Sequence, residues 1–383
     1  MILRDFIHII HVLNVKITQT QQNQHSMKLK NKIISCSVAL AIAIGGTTAC
    51  NNEYSDIPSN TETASFQPEM QNSSDSQDLK TLIEFNENLS AYNQTFGYYE
   101  TRGFWSECLT TAAGSAVDAA GGVVGKYIGQ YAGATLGSLT ANPLNAFVGY
   151  VGGGYVGRYV GSVMTSAVWN IAVNKYASSS SMTMRAPKMD YDLNLSISQI
   201  GSKDPITNQT YTSQIDSIGY HHNMIMVSIQ SYVGSAAKSE FDFDEFYQYI
   251  VPVIESELHI EIKLHNNKDL YENLKRLLSS LYKNTMSCLK SNDNLASFNS
   301  FVRQSIINCY PLSAKDDYIL TSIIQPVSEK LNGMSKSKIH EYAKGLNTLI
   351  SNSTMTKSEK AEIAQIYSIL INSALLWTSS IEL

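Results

Sequence analysis

Charged side chains are scarce: Asp, Glu, Lys and Arg make up 16% of the 383 residues, with 33 acids against 28 bases. Five of those bases (Arg4, Lys16, Lys28, Lys30 and Lys32) and one acid (Asp5) precede Cys50, so a chain beginning at Cys50 keeps 23 bases against 32 acids. Such a surface lacks the cationic footprint that a phosphate backbone requires, which argues against nucleic acid as a partner. Cysteine is rare as well. After Cys50 only Cys108, Cys288 and Cys309 remain, too widely spaced for a zinc finger and odd in number for a disulfide framework. Cys288 and Cys309 can pair if neighbouring helices bring them together; otherwise all three read as buried small hydrophobes. A phosphate-binding loop is also missing. Gly152, Gly154 and Gly157 satisfy GxGxxG in form, but no acidic residue follows about twenty positions later. Around Lys126, a P-loop needs glycine where Ala120 stands and Ser or Thr where Tyr127 stands. No cofactor is implied.

The stretch from Met27, "MKLKNKIISCSVALAIAIGGTTAC", is a targeting signal in form. Three lysines precede an apolar run from Ile33 to Ile44, and small residues follow up to Cys50. The apolar run is too short for a permanent spanning helix. It resembles bacterial lipoprotein signals, in which a small residue (here Ala49) precedes a cysteine that is acylated after cleavage. That resemblance makes Cys50 the candidate lipidation site, although Thr47 stands where those signals usually carry an aliphatic residue. The alternative is ordinary cleavage after "TTA", leaving Cys50 as a thiol. Residues 1–26 fit no part of a signal and read as an upstream, non-native extension; 27–49 is the signal peptide. Residues 50–77 are polar, carry two prolines and show no apolar period, so they read as a disordered tether.

Glycine then recurs with a period of four. "GGVVGKYIGQYAGATLG" places Gly121, Gly125, Gly129, Gly133 and Gly137 in register, and "GYVGGGYVGRYVG" does the same with Gly149, Gly153, Gly157 and Gly161. Each glycine in a helix costs about 1 kcal/mol relative to alanine, so nine cost on the order of 9 kcal/mol, comparable to the stability of a whole domain. Close approach of two helix backbones offsets that cost. Residues four apart share a helix face, and glycine at each of them leaves a smooth groove for a neighbouring helix. Asn142-Pro143 separates the runs, because the residue before proline resists helical geometry while proline suits a helix's first turn. The expectation is a hairpin over 108–176, with helices near 108–140 and 144–176 and their grooves facing. The pattern resembles the glycine-zipper segments of uncharacterised Gram-negative envelope lipoproteins, which implies paired helices in or against a membrane and no particular activity.

Whether this hairpin meets lipid is open at the level of sequence. No residue from Tyr127 to Gly157 is charged, and Ala146 to Val173 contains only Arg158. Against a span, Lys126 and Gln130 lie within the groove-bearing part of the first helix. The other possibility is a hairpin buried inside the body, its outer faces covered by further helices.

The carboxyl-terminal part, 190–383, reads as a helical domain, and 78–107 as a short amphipathic helix with a connector. "FDFDEFYQYIVPVI" has helical periodicity, with Pro252 expected to kink or end it. "KDLYENLKRLLSSLY", "NDNLASFNSFVRQSII" and "AKDDYILTSIIQPVSEKL" are amphipathic. Thr356 and Glu359 have capping-box spacing ahead of a nearly all-apolar segment, which suits a central helix. Leu193, Leu195 and Ile197 alternate with polar residues, and "ELHIEIKLH" alternates strictly, leaving room for one or two short strands. In the latter, Glu257, His259, Glu261 and His265 share one side; a solvated strand edge is the better reading than a metal site. "DSIGYHHN" offers Asp216 as a cap and Gly219 as a close-approach point, while a catalytic role for His221 or His222 lacks an identifiable nucleophile. Glycine hairpin, Ile218-Gly219-x-x-His222-Asn223 and a closing helix ending at Trp377 together resemble the same uncharacterised envelope lipoproteins.

The sequence therefore predicts a mostly α protein: a glycine-zipper helical hairpin followed by a helical-bundle body. Its expected role is non-enzymatic, in the cell envelope and at the outer membrane, with membrane lipid as partner through an acyl anchor and hairpin, and a protein partner for the body. A membrane-active toxin or bacteriocin-like effector with an insertable hairpin is the alternative.

Overall fold

A computed structural model describes residues 75–97, 107–138, 143–179, 218–258, 262, 264, 267–291 and 294–378. These residues are mostly α, and no strand occurs among them. Cys50, the signal, the tether, the Leu193–Ile197 alternation, Asp216, His259, Glu261 and His265 lie outside the described residues. Glu257, the remaining member of the alternating stretch, belongs to a helix rather than a strand.

The centre is a pair of long helices, α2 (Glu107–Ser138) and α3 (Pro143–Ser179), with Pro143 as the first residue of α3. The pairing matches proline's fixed φ and missing N–H to the one helical position where neither is a handicap. Their inner halves are buried almost continuously. Thr111 to Gly125 on α2 and Gly157 to Val173 on α3 are all buried. So many small and apolar side chains on every face require cover on every side.

That cover comes from the body. The last helix, α12 (Lys357–Thr378), runs antiparallel along α2: Trp377 meets Gly114, Ile369 meets Gly122, and Glu362 meets Lys126. It begins with the capping box, in which Glu359 accepts the backbone N–H of Thr356 (2.7 Å) and Thr356 Oγ1 accepts the backbone N–H of Glu359 (3.3 Å). Helix α7 (Lys268–Ser291) turns Leu274, Leu277, Leu278 and Leu281 inward and packs along α3. Helix α8 (Leu295–Ile307), capped by Asn294, packs on α2 and α7 and sets Phe298 against Trp169 with ring centres 4.9 Å apart. Helix α4 (Ile218–Ser228) crosses α12, and the short α5 (Gln230–Ala236) follows it against α3. At the amino-terminal side, α1 (Asp75–Thr95) buries Leu82, Phe85 and Leu89, spaced for one helix face, and stacks Tyr92 on Tyr342 of α11 (Lys336–Asn352). Hairpin and body thus share one continuous core.

Two prolines shape the helices that hold them. Pro252 neither ends nor interrupts α6 (Phe243–Leu258). It is exposed, so the carbonyl left without an N–H partner one turn back can turn to water. The segment "AKDDYILTSIIQPVSEKL" is not one regular helix. It is α9 (Ala314–Tyr318), a π-helical stretch Ile319–Ile324, and α10 (Gln325–Leu331). Pro326 supplies no N–H and its ring crowds the carbonyl four residues earlier, and the wider turn accommodates both. Cys288 and Cys309 are free thiols, the first buried in the core.

Candidate functional site

The hairpin seam organises three levels of chemistry. The first is contact between backbones. A β-carbon on Gly125 would run into the carbonyl of Gly157 and lie 2.9 Å from Gly161 Cα. One on Gly157 would lie 2.6 Å from the Cα of Gly129, and one on Gly161 would lie 2.7 Å from that of Gly125. At Gly121 the occupant is the Thr165 side chain, whose hydroxyl also reaches the carbonyl of Val117 at 3.2 Å. Gly121, Gly125, Gly129, Gly157 and Gly161 are thus brought together. Gly133, Gly137, Gly149 and Gly153 belong to the same two helices, and their surroundings lie outside the described residues.

The second level is a polar centre sealed from solvent. Asp118 of α2, His222 of α4, and Ser166 and Ser373 of α3 and α12 are all 0% exposed. Ser373 donates to Asp118 and accepts from Trp377 Nε1 at 3.1 Å. His222 Nε2 stands 3.5 Å from the Asp118 carboxylate, and His222 Nδ1 is 3.1 Å from Asn223 Oδ1. Asn223 donates to the carbonyl of Asn372 at 2.8 Å, and Gly219 N–H donates to Ser368 at 3.1 Å. Gly219 permits this, because a β-carbon there would collide with the Ser368 carbonyl.

Burial sets the protonation of this centre. It pushes the Asp118 carboxyl up from 3.8 to about 7, against the pull of Ser373, Ser166 and Trp377. It pushes His222 down from 6.5 to about 4, against Asn223 and the backbone of Ser162. His221, more peripheral, is also lowered by burial to about 4. The residue types are those of a hydrolytic relay, but the connections are not. The serine hydroxyl is committed to the carboxylate, the imidazole lies between that carboxylate and an asparagine, and no substrate can reach an atom that water cannot. The arrangement can tie α2, α3, α4 and α12 to one register.

The third level is a charge cluster at the far end of the buried section. Glu362 receives Lys126 (2.7 Å), Lys315 (3.1 Å) and Arg158. Asp316 lies 3.5 Å from Lys126 and accepts from Tyr127, which in turn accepts the Ser313 N–H at 3.1 Å. Burial alone would raise the Glu362 carboxyl; Lys126, Arg158 and Lys315 together hold it far below the usual glutamate range. Lys126 and Arg158, isolated among apolar neighbours in sequence, thus find one carboxylate on α12.

Asp118, Glu362 and Ser373 are not singled out by sequence reasoning. A signal was present: Asp118 is the lone acid within "TAAGSAVDAAGGVVG", and a lone acid inside an apolar helix requires a partner. Among the described residues no three His, Cys, Asp or Glu side chains converge as a metal site would need. None of the described helices is long and apolar enough to cross a membrane. The chain matches no protein-family model, no curated protein and no solved structure, so its role has to be read from its own geometry.

Proposed function

We propose that this protein is a non-enzymatic lipoprotein of the cell envelope, anchored by an acyl group on Cys50. In this reading its glycine-zipper hairpin engages the membrane while the helical body meets a protein partner. The carrying observation is the division of the hairpin. Its inner half is clamped in the body by the glycine seam, the Asp118–His222 centre and the Glu362 cluster. Beyond that cluster α2 continues to Ser138 and α3 begins as far out as Pro143, and none of the 31 residues from 127 to 157 in the sequence is charged. A rigid body holding two uncharged helical arms suits docking on lipid, with the acyl chain as the second attachment that stable anchoring requires.

The test is fractionation of cells expressing Cys50→Ser. Loss of the acyl mass and release from the membrane fraction support the reading, whereas unchanged fractionation without any acyl mass in the parent chain overturns the anchor. Purified mature chain should bind vesicles without releasing an entrapped dye; reproducible release would make it a membrane-permeabilising effector instead.

A further inference from the structure

We propose that the hairpin enters a single leaflet, with the Lys126–Arg158–Lys315–Glu362–Asp316 cluster stopping it at the headgroup level; this rests on the membrane reading above. Length decides the depth. Beyond Lys126, α2 continues for 12 residues to Ser138, and α3 has 15 residues from Pro143 up to Arg158. At about 1.5 Å per residue these arms reach about 18 and 22 Å. The hydrocarbon core is about 30 Å thick and each crossing takes about 20 residues, so arms of this length pass about 15 Å of one leaflet and stop short of the far side.

The body limits the depth further. The seam still joins Gly157 to Gly129, three residues beyond Lys126. Helix α12 begins at Lys357, five residues before Glu362, and Lys357, Ser358 and Ala361 of that turn are exposed. Part of each arm therefore lies level with a wet end of the body, and less than the full arm is left for lipid.

Charge fits the same placement. The cluster sets three cations against two carboxylates, and five ionised groups cannot follow the arms into hydrocarbon. Such a cluster, its side chains only 5–17% exposed, stays with the body at the edge of the hydrocarbon.

The experiment uses the acylated mature chain carrying Cys108→Ser and Cys309→Ser, reconstituted into vesicles of phosphatidylethanolamine and phosphatidylglycerol. Ala141→Cys reports the hairpin connection, and Ser351→Cys, on an exposed stretch of α11, reports the body. A membrane-impermeant maleimide is applied outside or sealed inside the vesicles. The expected result is labelling of Ser351→Cys from outside and loss of Ala141→Cys labelling from either side, recovered when detergent dissolves the vesicles. Labelling of Ala141→Cys from the lumen alone would show that the hairpin crosses, overturning the single-leaflet placement while leaving the membrane reading intact. Labelling from outside at the rate of Ser351→Cys would show that the hairpin never enters lipid, overturning the hairpin's membrane role itself.

Discussion

Gly125 and Gly157 face each other across the hairpin so closely that a β-carbon on either would strike the carbonyl oxygen of the other. The contact is reciprocal, so neither helix has room to give without moving the whole rod. A protein interior transmits such a displacement rather than absorbing it, because it is packed at crystal density. The seam therefore sets the spacing on which the buried polar centre and the charge cluster both depend.

Gly125→Ala and Gly157→Ala should each lower stability by about 1–3 kcal/mol, the usual cost of overpacking, despite alanine's better helix propensity. Gly234→Ala is the contrast. It lies on α5 with nothing within 4 Å of its would-be side chain, and should gain up to about 1 kcal/mol. Urea midpoints of the three variants check this; a common direction of change would contradict it.

The Asp118–His222 centre should hide its own pH dependence. Between pH 4 and 6.5 the folded pair holds one proton, on Asp118, and the unfolded pair also holds one, on His222. Equal proton counts give no slope. Removing one partner exposes the other. In Asp118→Asn, the lowered His222 value makes stability fall as pH drops from 6.5 towards 4. In His222→Gln, the raised Asp118 value makes stability fall as pH rises from 4 towards 7. Each slope is at most about 1.4 kcal/mol per pH unit. His221 adds the same acid-side loss to every variant, so the difference between variants is the measurement. Parallel stability–pH profiles for the two would refute the pairing.

Glu362→Gln should be the most damaging isosteric change in the hairpin's surroundings. It removes the carboxylate that Lys126, Arg158 and Lys315 share, and breaking such a largely buried ionic group costs about 3 kcal/mol or more. The wild-type contribution is complete above the ordinary glutamate value of 4.5 and is lost as pH falls, because the folded carboxyl stays ionised longer than the unfolded one. Acid unfolding followed by circular dichroism should thus show a shallower acid limb in the variant. An unchanged limb would mean that Glu362 is not held by its cations.

Gly219→Ala should separate α4 from α12 and break the Asn223–Asn372 hydrogen bond, since its β-carbon meets the Ser368 carbonyl. A loss of about 1–3 kcal/mol is expected. The near-ultraviolet signal of Trp377, buried on the same helix, should change with it. Native-like stability together with an unaltered tryptophan signal would place this crossing elsewhere.

Much of the helical content is legible in the chain because its causes are local. Pro143 opens α3, and Thr356 with Glu359 starts α12, through bonds within one turn. The glycine period points to backbone contact because no other force readily offsets its cost in a helix. Pro252 and Pro326 are harder to read. The first is tolerated because its position is exposed, and the second is absorbed by a π-helical turn, and neither circumstance is visible one residue at a time.

By itself, the sequence determined where helices begin, which faces lack side chains, and where charge is missing, since these follow from residue type and spacing along one chain. Only the tertiary structure decided which partners the isolated charges take. Asp118 meets a histidine about a hundred residues away, and Lys126 and Arg158 meet a glutamate more than two hundred residues away. The physical reason is desolvation. A buried charge must be paired, but periodicity along a chain carries no information about which distant helix will arrive beside it.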